Sequence, residues 1–173
     1  MTIELFKPYP LTQFPEFFNI EVNTLVATAD TSLGFQQKKY PKDFTPEFKV
    51  QFKEYLEMLL KSKLDITNRG CLNITKYMGV INEVKWHNEN GFSYDVPVPQ
   101  IITKNPYLCL FWIKGKTDYG GEFRCINDTT GDLIIVPFNP PGFIVMTRDT
   151  IHSVTHYSSE EFRVSFNVDF DFE

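Results

Sequence analysis

The sequence predicts a mainly β protein with one flanking helix, folded as an antiparallel sandwich or barrel. Three observations point there. The composition holds 17 Phe and 8 Tyr, residues that suit a pleated, half-buried surface. From Cys71 onwards, short segments of strand texture follow one another. Turn chemistry separates most of them, at Asn90-Gly91, Gly120-Gly121, Thr130-Gly131-Asp132, Asn139-Pro140-Pro141-Gly142 and Ser158-Ser159.

The expected strands are 71–78, 82–88, 107–114, 121–127, 132–136, 142–147, 152–157 and 161–169, a series of the kind that closes into a sandwich or barrel. Upstream, Met1 to about Tyr40 is Phe- and Pro-rich with weak periodicity, and reads as short strands and loops. Thr45-Pro46-Glu47 reads as a helix start: an N-cap Thr, Pro at the first helical position and an acid in the first turn. Phe48, Phe52, Tyr55, Leu56, Leu59 and Leu60 follow at helical spacing, and Lys61 and Lys63 close the helix on the favourable side of its dipole. This helix is expected to brace a sheet. No repeat or charge block marks a boundary, so residues 1–173 are expected to form one domain. Within it, 1–70 supplies N-terminal strands and the helix, and 71–173 the β core. The segment from Phe92 to Pro106 reads as a long loop, a candidate substrate-covering lid.

Charge narrows the function. A net charge of −5 gives the chain no overall pull on phosphate backbones, which argues against a nucleic-acid partner. Cys71, Cys109 and Cys125 form no CxxC pair and are expected as buried, reduced thiols. Met1 to Pro10 has no apolar run of signal-peptide type, and no stretch approaches the roughly 18 apolar residues of a membrane span. A soluble, cytoplasmic protein is expected.

Only three histidines are present. His87 stands in Lys85-Trp86-His87-Asn88-Glu89 at the end of an expected strand. Positions i and i+2 of a strand share a face, so His87 and Glu89 can converge on one point. An imidazole and a carboxylate so placed are two members of the facial triad that holds non-haem Fe(II) with open positions. The third ligand must come from elsewhere. His152 is the natural candidate, and His156, on the same strand face, is its competitor. Arg163 and Ser165 alternate on the last strand and face the same way, offering a planar guanidinium fork and a hydroxyl together to a carboxylate.

The stretch from Asn73 to Val168 resembles the catalytic core of the Fe(II)/2-oxoglutarate-dependent dioxygenases, closest to the prolyl hydroxylase-like branch. The resemblance lies in an ordered set: Tyr77, His87-Asn88-Glu89, Leu108-Cys109-Leu110-Phe111-Trp112, Gly120-Gly121-Glu122-Phe123, Val136-Pro137, Pro141-Gly142-Phe143-Ile144-Val145, His152 and Arg163. It implies a double-stranded β-helix, the jelly-roll barrel, and a hydroxylase that uses molecular oxygen on a peptidyl, prolyl or small-molecule substrate. It further implies iron held by His87, Glu89 and His152, and 2-oxoglutarate held by Arg163, Ser165 and Tyr77. One position departs from the family's pattern, which has Asp where this chain has Glu89. H-x-E either serves as a variant triad or marks a degenerate binding or regulatory protein. Asp95 is a poor substitute, beyond Gly91.

Overall fold

Two antiparallel sheets face each other, and two helices cover the outer face of the larger one. The computed structural model describes residues 4–89, 107–127 and 129–173. In chain order the elements are β1 (Tyr9–Pro10), α1 (Glu16–Ala27), β2 (Phe35–Lys39), α2 (Pro46–Leu60), β3 (Leu64–Thr75), β4 (Val84–His87), β5 (Tyr107–Lys114), β6 (Phe123–Ile126), β7 (Leu133–Val136), β8 (Gly142–Thr147), β9 (His152–Val154) and β10 (Arg163–Phe172). The larger sheet runs β1-β8-β5-β10-β3-β2 and the smaller β4-β9-β6-β7. From β3 to β10 the chain changes sheet at every connection except β6 to β7, which gives the double-stranded β-helix expected.

Strand alternation explains how the larger sheet serves two interiors. On β10, Val164, Phe166, Val168 and Phe170 face the helices, where they pack with Phe18, Phe48, Phe52 and Phe111. Between them Arg163, Ser165 and Asn167 face the barrel interior and line its cavity. On β5, Cys109 and Phe111 join the helix side, while Leu108, Leu110 and Trp112 pack between the sheets with Phe123 and Met146. The helix side is a web of rings: Phe52 lies 5.2 Å from Phe166 and 5.4 Å from Phe48. Each such Phe, fully buried, contributes about 1.5–3 kcal/mol.

Helix α2 starts as the sequence predicts, with Thr45 Oγ1 accepting from the Phe48 N–H at 3.2 Å. The buried Glu21 of α1 in turn accepts from the Thr45 N–H (2.7 Å) and hydroxyl (3.0 Å), which fixes the two helices to each other. Lys61 is the left-handed C-cap, and Lys63, beyond it, bonds Glu57 at 3.0 Å.

Two expectations need correction. Residues 16–27 form a helix, not strands and loops. Their β-branched and aromatic content hides the periodicity, and Phe17 and Phe18 settle the matter by packing on Phe48 and Tyr55 of α2. The strand expected at 71–78 begins at Leu64 and ends at Thr75, because residues 64–72 pair with the long β10. Tyr77 therefore lies beyond the strand. All three cysteines are buried and none is in a disulfide, and no described helix is long and apolar enough to cross a membrane. The lid expected at 92–106, and Asp95 within it, lie outside the described residues.

Candidate metal and cosubstrate site

His87 and His152 are direct cross-strand partners on β4 and β9, which sets their ring centroids 4.3 Å apart. Each ring is oriented by the same local device. His87 Nδ1 lies 2.8 Å from the carbonyl of Lys85, and His152 Nδ1 lies 2.9 Å from the carbonyl of Thr150. A carbonyl only accepts, so each Nδ1 carries a proton, and each Nε2 is the ring atom turned toward Glu89. Glu89, two residues past the end of β4, brings Oε1 to 3.4 Å from His152 Nε2 and 3.9 Å from His87 Nε2.

The three ligating atoms lie within 4.8 Å of one another. At metal–ligand distances near 2.1 Å, neighbouring donors of an octahedral ion stand about 3 Å apart, so a modest contraction would close this set around one ion. Two imidazoles and a carboxylate suit Fe(II) and leave positions open. The electrostatics agree with that use. Burial, then the neighbouring His152, lowers the pKa of His87 and favours the neutral ligand form. For Glu89, burial pushes upward, but His152, His87 and Arg148 outweigh it and hold the carboxylate below its ordinary range.

The same cavity, of about 200 Å³, is lined by His87, Glu89, His152, Arg163 and Ser165. Arg163 is 4% exposed, and among the described residues no carboxylate pairs with it. Its Nη2 donates to the Gly121 carbonyl at 3.2 Å, its guanidinium lies 4.6 Å from the centre of the Phe138 ring, and its Nε has no partner. Burial, opposed by Tyr157, pushes its pKa down to about 10. Gly121 makes this placement possible. At φ +76 it occupies the left-handed region, and a Cβ there would stand 2.8 Å from Arg163 Nε. A buried guanidinium with an unpartnered N–H, in one cavity with a facial ligand set, fits a dicarboxylate that chelates at one end and pairs at the other.

Tyr77 is not brought to this site. Its ring packs edge-on against His156, and its N–H bonds the Ser159 carbonyl at 2.7 Å. His156 is separate from the ligand cluster. Its Nδ1 lies 3.2 Å from the Asn82 N and 2.9 Å from Asn82 Oδ1. The sequence reading missed the polar wall of the cavity, formed by Gln37, Cys71, Asn73 and Asn167. It also missed Arg148 and Asp169, a buried ion pair at 2.8 Å beside Glu89. The signal for Asn167 and Asp169 was present in the alternation Arg163, Ser165, Asn167, Asp169.

No protein-family model and no curated protein matches the chain. Solved structures do. The chain resembles EvdMO1 with a TM-score of 0.62 at 12% identity, over 94% of this chain and 46% of that one. The epimerase SnoN, solved in complex with Fe3+ and α-ketoglutarate, matches with a TM-score of 0.66 at 11% identity, over 95% and 78% of the two chains. A Pseudomonas putida prolyl-4-hydroxylase matches with a TM-score of 0.56 at 12% identity, over 96% and 92%. The chain thus spans about half the length of EvdMO1 and most of the other two. At such identities the shared property is the fold, and that fold is the one used by 2-oxoglutarate- and Fe(II)-dependent oxygenases.

Proposed function

We propose that this protein is a non-haem Fe(II)/2-oxoglutarate-dependent oxygenase that hydroxylates a peptidyl or small-molecule substrate. The observation that carries this reading is Arg163, a buried cation with no described anionic partner, lining the cavity of the His87–Glu89–His152 cluster. Iron(II) with 2-oxoglutarate and oxygen would supply the oxidising chemistry, inserting oxygen into a C–H bond while the cosubstrate is decarboxylated to succinate. The protein's own contribution is placement. His87, Glu89 and His152 would occupy one face of the ion, and Arg163 with Ser165 would bind the far carboxylate. Leu108, Leu110, Phe123 and Met146 would keep the opposite wall of the cavity dry.

The polar wall supports an uncharged substrate. Lys39, which only donates, bonds Gln37 Oε1 at 2.6 Å, so the Gln37 amide must donate onward to Asn73 Oδ1 at 2.8 Å. Asn167 Oδ1 accepts from the Cys71 N–H at 3.2 Å. Both Asn oxygens are thereby occupied, which leaves their NH2 groups as donors toward acceptor oxygens such as a peptide carbonyl or a hydroxyl. The solved neighbours include prolyl 4-hydroxylases and an epimerase of nogalamycin biosynthesis, which keeps both peptide and small-molecule substrates in view.

Binding is tested anaerobically, by adding Fe(II) and then 2-oxoglutarate and recording the metal-to-ligand charge-transfer absorbance. Turnover is tested by succinate formation with Fe(II) and ascorbate. Absence of the charge-transfer band sinks the assignment.

A further inference from the structure

Glu89 is not held by β pairing, since β4 ends at His87. What holds it is Arg148, the residue that follows β8. The Glu89 N–H donates to the Arg148 carbonyl at 3.1 Å, and Arg148 Nη2 donates to the Glu89 carbonyl at 2.7 Å. The peptide groups on both sides of Glu89 are thus fixed by one residue. Arg148 is itself 3% exposed, and its Nη1 lies 2.8 Å from Asp169 Oδ2.

Asp169 is placed by an irregularity in β10. The pairing of β10 with β3 shifts register between Val168 and Phe170, while Asp169 keeps its partner Leu108 on β5. Such bulges re-aim a side chain next to a site. The Asp169 carbonyl also accepts from Thr67 Oγ1 at 3.2 Å, which ties the bulge to β3. A continuous buried chain of contacts therefore runs from β10 through Asp169 and Arg148 to the backbone of Glu89. A guanidinium is suited to this link, because its planar fork can reach a carboxylate with one nitrogen and a carbonyl with another.

We propose that Arg148, held by Asp169, is a positioning residue that sets Glu89 as a metal ligand, so that metal affinity depends on a residue that does not touch the ion. The proposal rests on the reading of His87, Glu89 and His152 as a metal site. Its reach is specific: the strut acts on the one ligand that lies outside the sheets, and leaves the two histidines, which are fixed by strand pairing and by their Nδ1 bonds, where they are.

The test is a Co2+ titration followed by the ligand-field absorbance, with thermal unfolding measured alongside. Two variants are compared with the wild type. Arg148→Lys retains the charge facing Asp169 but loses the fork. The double variant Arg148→Met/Asp169→Leu removes both charges together, an exchange that buried pairs often tolerate without loss of fold. Outer-shell partners of ligands typically carry 10–100-fold in metal affinity. Co2+ affinity is expected to fall about tenfold in Arg148→Lys and on the order of 10–100-fold in the double variant, with the ligand-field band altered. Unaltered Co2+ affinity in a folded double variant overturns the proposal. So does a double variant that fails to fold while Arg148→Lys binds Co2+ like the wild type, because Arg148 is then purely structural. If the wild type itself takes up no Co2+, the metal-site reading falls and takes the strut with it.

Discussion

Replacing Arg163 by Met separates a structural arginine from one held for an anion. The substitution keeps much of the side-chain length and removes the charge. In the ligand-free protein the guanidinium carries a burial cost, since its pKa falls from 12.5 to about 10 with the residue 4% exposed. At about 1.4 kcal/mol per unit this cost is on the order of 3 kcal/mol, and it is present at every pH below about 10. Against it stand one hydrogen bond to Gly121 at 3.2 Å, worth about 1 kcal/mol, and the contact with Phe138 at 4.6 Å, worth about 1–2 kcal/mol. The terms nearly cancel, so Arg163→Met should be as stable as the wild type, or slightly more so, without ligand. With 2-oxoglutarate and Co2+ the two proteins should part. A ligand at about a hundredfold its Kd stabilises the wild type by about 2.7 kcal/mol. Losing a two-pronged charge-assisted pair, at about 1.5–3 kcal/mol per bond, should weaken 2-oxoglutarate binding at least about a hundredfold and abolish most of that gain. Urea unfolding with and without the ligand measures both quantities. A loss of more than about 3 kcal/mol in the ligand-free variant, or an undiminished ligand effect, would refute the reasoning.

Three further outcomes follow from the same geometry. His152→Ala should remove the charge-transfer band formed with Fe(II) and 2-oxoglutarate, whereas His156→Ala should keep it, since the His156 ring is engaged with Asn82 and Tyr77. Gly121→Ala should cost about 1–2 kcal/mol for its positive φ, with a further penalty from a Cβ 2.8 Å from Arg163 Nε. Because the intruding atom displaces the guanidinium, isothermal titration should show weakened 2-oxoglutarate binding while Co2+ uptake persists. Asp169→Asn should change the pH dependence of stability. Burial, opposed by Arg148, raises the Asp169 pKa from 3.8 to about 6, so the native state binds this proton more tightly than the unfolded chain does. Its contribution to stability is therefore present below about pH 4 and is lost as pH rises through about 6, a change on the order of 3 kcal/mol that urea unfolding should find missing from the variant.

The barrel was legible because its strands are short, bounded by turn residues and built from alternating side chains. β5 and β8 begin and end where the sequence puts them, at Tyr107–Lys114 and Gly142–Thr147. The legibility ends where long-range pairing overrides local pattern. Residues 64–70 of β3 carry little strand texture, and they extend because β10 offers partners as far as Phe172. Helix α1 is hidden for the converse reason: Phe17, Phe18 and Val22 would suit a strand, and only the rings of α2 make a helix the better burial. At the site, His87, Glu89 and His152 could be named because donor chemistry restricts a ligand to few residue types. Arg148 could not. A lone arginine in a turn has no spacing signature, and its partners, the Glu89 carbonyl and Asp169, come from segments far apart in the chain.

The inner face of β10 shows where stability yields to another demand. A strand buried on both faces is usually apolar on both. Here Val164, Phe166, Val168 and Phe170 obey that rule, while Arg163, Ser165, Asn167 and Asp169 break it at every alternate position. Two of the four carry charges that burial disfavours, as the shifted pKa values of Arg163 and Asp169 record. A buried ion pair such as Arg148–Asp169 is weak evidence for stability, because apolar residues of the same volume often do as well. Its geometry is what apolar residues cannot supply. Glu89 lies beyond the last residue of β4, and Arg148 holds its backbone there. From that anchor the glutamate side chain brings Oε1 within 3.4 Å of His152 Nε2.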